Sequence, residues 1–224
     1  MIRGAVFDVD GTLVDTMGMW NHCGERYLAA RGIEAEHDLA ETMKLLPIHE
    51  SGAFIKKRYR LPDSPEAITA GLNAIAYDYY MNEARLKPFI TEILSALSAH
   101  GIRLSVGTAS DKEVVEPLLA RLDILRYFSD IHSCKTLGMD KSTPAFFLAC
   151  AHRLGTEPGE TLVFEDMLHA ATSAFHGGLT VVGMFDSENA GAEHELRQIS
   201  RYFIKTQQDM KEFLQSVLHG NPNQ

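Results

Sequence analysis

The stretch Ala5-Val6-Phe7-Asp8-Val9-Asp10-Gly11-Thr12-Leu13-Val14-Asp15 constrains the chain more than any other. Ile2 and Ala5-Val6-Phe7 form an apolar run of the kind carried by a strand buried on both faces. Asp8 and Asp10 follow where that run ends. Residues i and i+2 of an extended chain point to one face. Both carboxylates are therefore expected to emerge together at the carboxyl end of a first strand, the end at which open α/β sheets bind ligands. A hairpin turn at Asp10-Gly11 fits less well, because the flanking apolar segments are short and Asp15-Thr16 reads as a helix start. An EF-hand calcium loop also opens Asp-x-Asp, but it needs Gly at 13 and Glu at 19, where this chain has Leu13 and Met19.

Beyond that stretch the pattern is helical up to about residue 86. Helices are predicted from Thr16 to about Arg31 with Gly32 as stop, near 38–46, over 49–60 and over 65–84. Pro47 separates the second from the third, and Pro62 ends the third. In the fourth, Pro65 suits the first turn, and Ile68, Leu72, Ile75 and Tyr79 recur at helical spacing. After Pro88 helices and strands alternate. Helices are predicted at Thr91–Ala99, Asp111–Arg121, Pro144–Leu154, Leu168–Phe175 and 208–218. Strands are predicted at Ile102–Gly107, Asp130–Ser133, Thr161–Phe164, Thr180–Met184 and Tyr202–Ile204. Alternation of this kind gives right-handed crossovers and a parallel sheet. The expected architecture is α/β: a doubly wound, mostly parallel, Rossmann-like core at 1–15 and 87–224, with a helical insert at 16–86. The tail 221–224 is expected to be loose.

Composition narrows the partners. A net charge of −9 argues against nucleic acid, and an anionic substrate then needs a local cation. No apolar run of about 18 residues predicts a membrane span. Three scattered cysteines and a start without a signal-peptide pattern predict a cytoplasmic protein without disulfides. The ten histidines lack ligand spacing, His49-Glu50 has no His at 53, and His169 is expected on the surface. Lys56-Lys57-Arg58-Tyr59-Arg60 reads as a solvated helix face, or else as an attractor of anions. Met19 and Trp20 suit either core packing or a substrate pocket.

The string Asp-x-Asp-Gly-Thr followed by Leu-Val-Asp resembles the first motif of the haloacid dehalogenase superfamily. The order of strand, helical insert and Rossmann-like remainder is similar over nearly the whole chain. The resemblance implies three further sites. Thr108, with Ala109, stands where the family places a Ser/Thr that holds a phosphoryl group. A hydroxyl at a strand end beside free helix N–H groups suits an anion, while Ser110 or Asp111 is expected to cap the following helix. Lys141, in Gly138-Met139-Asp140-Lys141-Ser142-Thr143-Pro144, matches the third motif. A cation just ahead of a helix start is badly placed unless an anion lies between them. Asp166, after the apolar strand Thr161–Phe164 and Glu165, matches the metal-binding acid. Met167 and Ala170 depart from the small hydroxyl and the Gly common in relatives, so the motif does not give the residues that support the metal ligands.

By this resemblance the chain is expected to be a Mg²⁺-dependent phosphatase of a small phosphorylated metabolite, a monomer or weak dimer. Asp8 is the nucleophile and Asp10 the acid and base. Thr108, Ala109 and Lys141 bind the phosphoryl group, and Asp8, Asp166 and the carbonyl of Asp10 hold the metal. Asp10 argues against the dehalogenase and phosphonate-cleaving branches, which lack it. A β-phosphoglucomutase-like mutase is the nearest alternative, although those mutases carry a His where Trp20 stands. A receiver-like phospho-acceptor using Asp130 is a further one.

Overall fold

The computed structural model describes residues 1–43 and 48–219, without the side chain of His49. Pro47 and the tail at 221–224 lie outside the described residues. The chain forms two compact units, one of Met1–Asp15 with Arg85 onward, the other of Thr16–Ala84.

Elements follow in the order β1 (Gly4–Phe7), β2 (Val14–Asp15), α1 (Met17–Ala29), α2 (Leu39–Met43), α3 (Ile48–Tyr59), α4 (Pro65–Asn82), β3 (Arg85–Leu86) and α5 (Ile90–Ala99). Then come β4 (Arg103–Thr108), α6 (Lys112–Arg121), β5 (Phe128–Ser133), α7 (Cys134–Leu137), α8 (Pro144–Leu154) and β6 (Thr161–Glu165). The chain continues through α9 (Leu168–His176), β7 (Thr180–Met184), a 3₁₀ turn Ser187–Ala192, α10 (Glu193–Ile199), β8 (Tyr202–Ile204) and α11 (Gln207–His219).

Six strands form one sheet in the order β5-β4-β1-β6-β7-β8, with every pairing parallel. Counted by chain order within the sheet this is 3-2-1-4-5-6, the doubly wound Rossmann order, whose direction reverses at β1. The fold is thus the α/β class that the alternation predicts. Residues Gly4 to Phe7 are all buried, as a central strand covered by helices requires. Val6 and Val163 face a core with Phe146, Phe147 and Cys150 of α8 and Ala170, Ala171 and Ala174 of α9. On the other face the Phe7 and Phe164 rings stack at 4.0 Å, and Phe213 of α11 meets Phe164 edge-on at 5.5 Å. Gly107 lets β4 approach its neighbours: a Cβ there would sit 2.7 Å from Val6 Cγ1.

Two short strands were not expected. Val14–Asp15 and Arg85–Leu86 pair antiparallel where the helical segment leaves and re-enters the sheet unit. They are two residues long, too brief for periodicity to mark them. The helices α7 and α10 are also absent from the sequence pattern, being four and seven residues long.

In the helical unit, Ser64 Oγ accepts the N–H of Ala67 and Pro65 takes the first turn of α4, as proline at that position should. The buried row of α4 is Ile68, Leu72, Ala76 and Tyr80. Ile75 and Tyr79, expected in that row, flank it half-buried, with the Arg26 guanidinium 5.7 Å over the Tyr79 ring. Met19 is core, and Trp20 Nε1 donates to the Tyr80 hydroxyl at 3.0 Å. Within the basic run, Lys56 Nζ donates to the carbonyls of Leu61, Pro62 and Asp63, and Arg58 pairs with Glu36 and Asp38 at 2.5 Å each. Two of its cations are thus committed to holding helix and loop together. Among the described residues no helix is long and apolar enough to cross a membrane.

Candidate active site

The carboxyl ends of β4, β1 and β6 are neighbours in the sheet, and each delivers a polar residue. Asp8 follows β1, and its N–H donates to the Phe164 carbonyl at 3.1 Å. Glu165 closes β6 and Asp166 follows it. Thr108 closes β4 and is fully buried. Lys141 arrives from the loop between α7 and α8. Gly138, at φ 63°, turns the chain out of α7, a conformation glycine adopts without strain.

Lys141 Nζ lies 2.6 Å from Asp8 Oδ1 and 2.7 Å from Glu165 Oε2, with side-chain exposures of 7%, 7% and 0%. The Asp8 contact is a hydrogen bond, and the Glu165 contact is a close ion pair. Glu165 Oε1 accepts the N–H of Met167. The cation that a helix start would repel is therefore held by two carboxylates, as a buried ammonium needs. Glu165 is the partner the sequence left without a role.

Carboxylate oxygens of Asp8, Glu165 and Asp166 all lie within 4.8 Å of one another. Asp166 Oδ1 accepts from the Thr12 hydroxyl at 2.9 Å, and its Oδ2 from the Asn189 amide at 2.6 Å. The turn at Gly11, with φ 82°, brings Thr12 there; the Gly11 N–H donates to the Val14 carbonyl at 2.9 Å.

Burial and the nearness of like charge both disfavour an ionised carboxylate. Burial, then the charge of Glu165, pushes the Asp8 carboxyl up to about 8 despite Lys141. Burial, then Glu165 and Asp8, raises Asp166 well above the usual carboxylate range. Burial opposes the charge on Lys141, but Asp8 and Glu165 outweigh it and its pKa is raised. Hard oxygen ligands with surplus negative charge are compatible with a divalent cation. Asp8, Glu165 and Asp166 present carboxylate oxygens close enough together to share such a cation.

Asp10 stands outside this close group. Its Oδ2 accepts from the Ser110 hydroxyl at 2.7 Å. Thr108 Oγ1 accepts the N–H of Ser110 at 3.0 Å, a contact within the turn that follows β4. Ala109 is exposed beside it. Neither Ser110 nor Asp111 caps α6 through its side chain: Asp111 holds the cap position without that bond and pairs with Lys135, while Ser110 is turned to Asp10. Thr143 likewise precedes α8 without a side-chain cap. His169 is exposed. Asp130 lies within β5 and pairs with Lys112 at 3.1 Å.

The profile described as haloacid dehalogenase-like hydrolase matches residues 5–184. Among curated proteins, the fructose-1-phosphate phosphatase of Escherichia coli is 26% identical over 180 residues, covering 80% of this chain and 94% of that one. A phosphoglycolate phosphatase of Shigella dysenteriae is 27% identical, covering 88% and 86%. The crystal structure of a candidate β-phosphoglucomutase from Thermotoga maritima superposes with a TM-score of 0.81 at 22% identity, covering 97% of this chain and all of that one.

Proposed function

The chain belongs to the family of haloacid dehalogenase-like hydrolases, and from that premise we propose that it is a Mg²⁺-dependent phosphatase of a small phosphate monoester. One observation carries the reading: Lys141, Asp8, Glu165 and Asp166 meet, buried, at the strand ends where the sheet order reverses. Relatives named for fructose 1-phosphate and phosphoglycolate support an anionic ester of low mass.

Asp8 and Asp166, with the carbonyl of Asp10, would hold the ion; when bound it neutralises charge on the phosphoryl oxygens. The Asp8 carboxylate attacks phosphorus and an aspartyl phosphate forms. The ester oxygen departs with a proton from Asp10, whose carboxyl the Ser110 hydroxyl orients at 2.7 Å. Asp10 then takes a proton from water as that water attacks phosphorus, and the bond to Asp8 breaks. The Thr108 hydroxyl, the Ala109 N–H and the Lys141 ammonium bind the oxygens of the transferring group. The unit Thr16–Ala84 is the substrate-selecting cap in this scheme.

A screen of phosphate esters with Mg²⁺, run beside Asp8→Asn, tests the proposal. Wild type should release phosphate and Asp8→Asn should not; full activity in Asp8→Asn overturns it. Phosphate transferred within a sugar rather than released would instead favour the mutase, whose fold this chain shares at a TM-score of 0.81.

A further inference from the structure

Asp166 differs from the other two acids of the cluster. Asp8 and Glu165 share the Lys141 ammonium, whereas among the described residues no ion pair to Asp166 is formed. Its two oxygens take neutral donors instead, Thr12 Oγ1 and Asn189 Nδ2. A neutral donor fixes the direction of a carboxylate while leaving its full charge for a cation.

Asn189 comes from the 3₁₀ turn after β7, 23 residues beyond its acceptor. A carboxylate only accepts, so the amide nitrogen and not the oxygen must face Asp166. The same nitrogen lies 3.1 Å from Met167 Sδ. The turn is itself held from below. The buried Asp186 accepts the N–H of Glu188 through its side chain at 2.9 Å, and its carbonyl accepts the N–H of Asn189 at 3.2 Å. Asp186 Oδ2 pairs with Lys87 Nζ at 2.6 Å, with side-chain exposures of 1% and 10%. Lys87 follows β3, and its N–H donates to the Leu13 carbonyl, one residue past Thr12. The two donors to Asp166 are thus anchored from opposite ends of one set of contacts.

We propose that Asn189 is a positioning residue of the metal site, aiming the Asp166 carboxylate from a turn that the buried Lys87–Asp186 pair locks. The inference rests on the metal-dependent reading above. Partners of this kind behind metal ligands are typically worth 10- to 100-fold in metal affinity.

The test is calorimetric titration of Mg²⁺ into the full chain without substrate, comparing native protein with Asn189→Ala and Asn189→Leu. Mg²⁺ binding should weaken roughly 10- to 100-fold in both variants, with circular dichroism unchanged. Leucine keeps the bulk, so it serves if alanine loosens the turn. Native-like Mg²⁺ affinity in either folded variant overturns the inference. Failure of both to fold overturns it too, since Asn189 would then belong to the fold alone. If native protein binds no Mg²⁺, the metal-dependent reading itself fails, a result distinct from equal binding by native and variants.

Discussion

Methionine at position 141 would keep the length of the lysine stem and delete its charge. Lys141 makes two contacts, at 2.6 and 2.7 Å, with almost no exposure. At an effective dielectric of about 20, each carries roughly 6 kcal/mol of attraction before desolvation. Desolvation offsets most of this, and removing one partner of a buried ionic set costs about 3–5 kcal/mol. At about 2–4 °C per kcal/mol for a chain of this size, the melting temperature should fall by about 6–20 °C. The loss should depend on pH in a definite direction. Asp8 already has a folded pKa of about 8, raised by burial and then by Glu165, and removing Lys141 raises it further. A carboxyl raised in the folded state contributes fully below its unfolded pKa and loses that contribution as pH climbs through the folded value. The deficit of Lys141→Met should therefore be smallest near pH 5 and largest near pH 8 to 9. Thermal melting followed by circular dichroism, without divalent ions, reads this directly. A variant that melts with wild type at pH 8, or a deficit that shrinks as pH rises, refutes the charge accounting.

Mg²⁺ binding at pH 7 should release about one proton, because the raised carboxyls of Asp8 and Asp166 bind the ion only when ionised. Calorimetry in two buffers of different ionisation enthalpy checks it, and a buffer-independent heat would contradict it. Asp10→Asn should lower turnover by about 10²- to 10⁴-fold and leave Mg²⁺ binding intact, read as phosphate release beside direct titration. Gly107→Ala, whose Cβ would press within 2.7 Å of Val6 and 3.2 Å of Phe146, should cost about 1–3 kcal/mol. An unshifted denaturation midpoint would show that the core yields there.

What the sequence disclosed followed from run length. Strands Thr180–Met184 and Tyr202–Ile204 and helix Pro144–Leu154 have the expected bounds, because apolar runs, Pro144 and Gly155 punctuate them. The strand ends carrying Asp8, Thr108 and Asp166 were legible for the same reason. Contacts that depend on chain crossing were not. Glu165 could be seen beside Asp166, but its hold on Lys141 spans a loop and a strand. Ser110 read as a cap, yet its hydroxyl turns to Asp10, 100 residues earlier. Asn189 sits in a polar turn with no motif, and the pairing of β6 with β7 and the Lys87–Asp186 contact place that turn beside Asp166. The row on α4 shifted from Ile75 and Tyr79 to Ala76 and Tyr80 because small Ala76 scores poorly as an apolar anchor.

The stacked rings of Phe7 and Phe164 immediately precede Asp8 and Glu165, and Phe213 braces the second ring from the last helix. The Asp8 and Glu165 carboxylates therefore stand on an aromatic footing whose outermost stone is laid in the last helix. Damage at residue 213 would surface first as scatter in where those acids point, well before the sheet gave way.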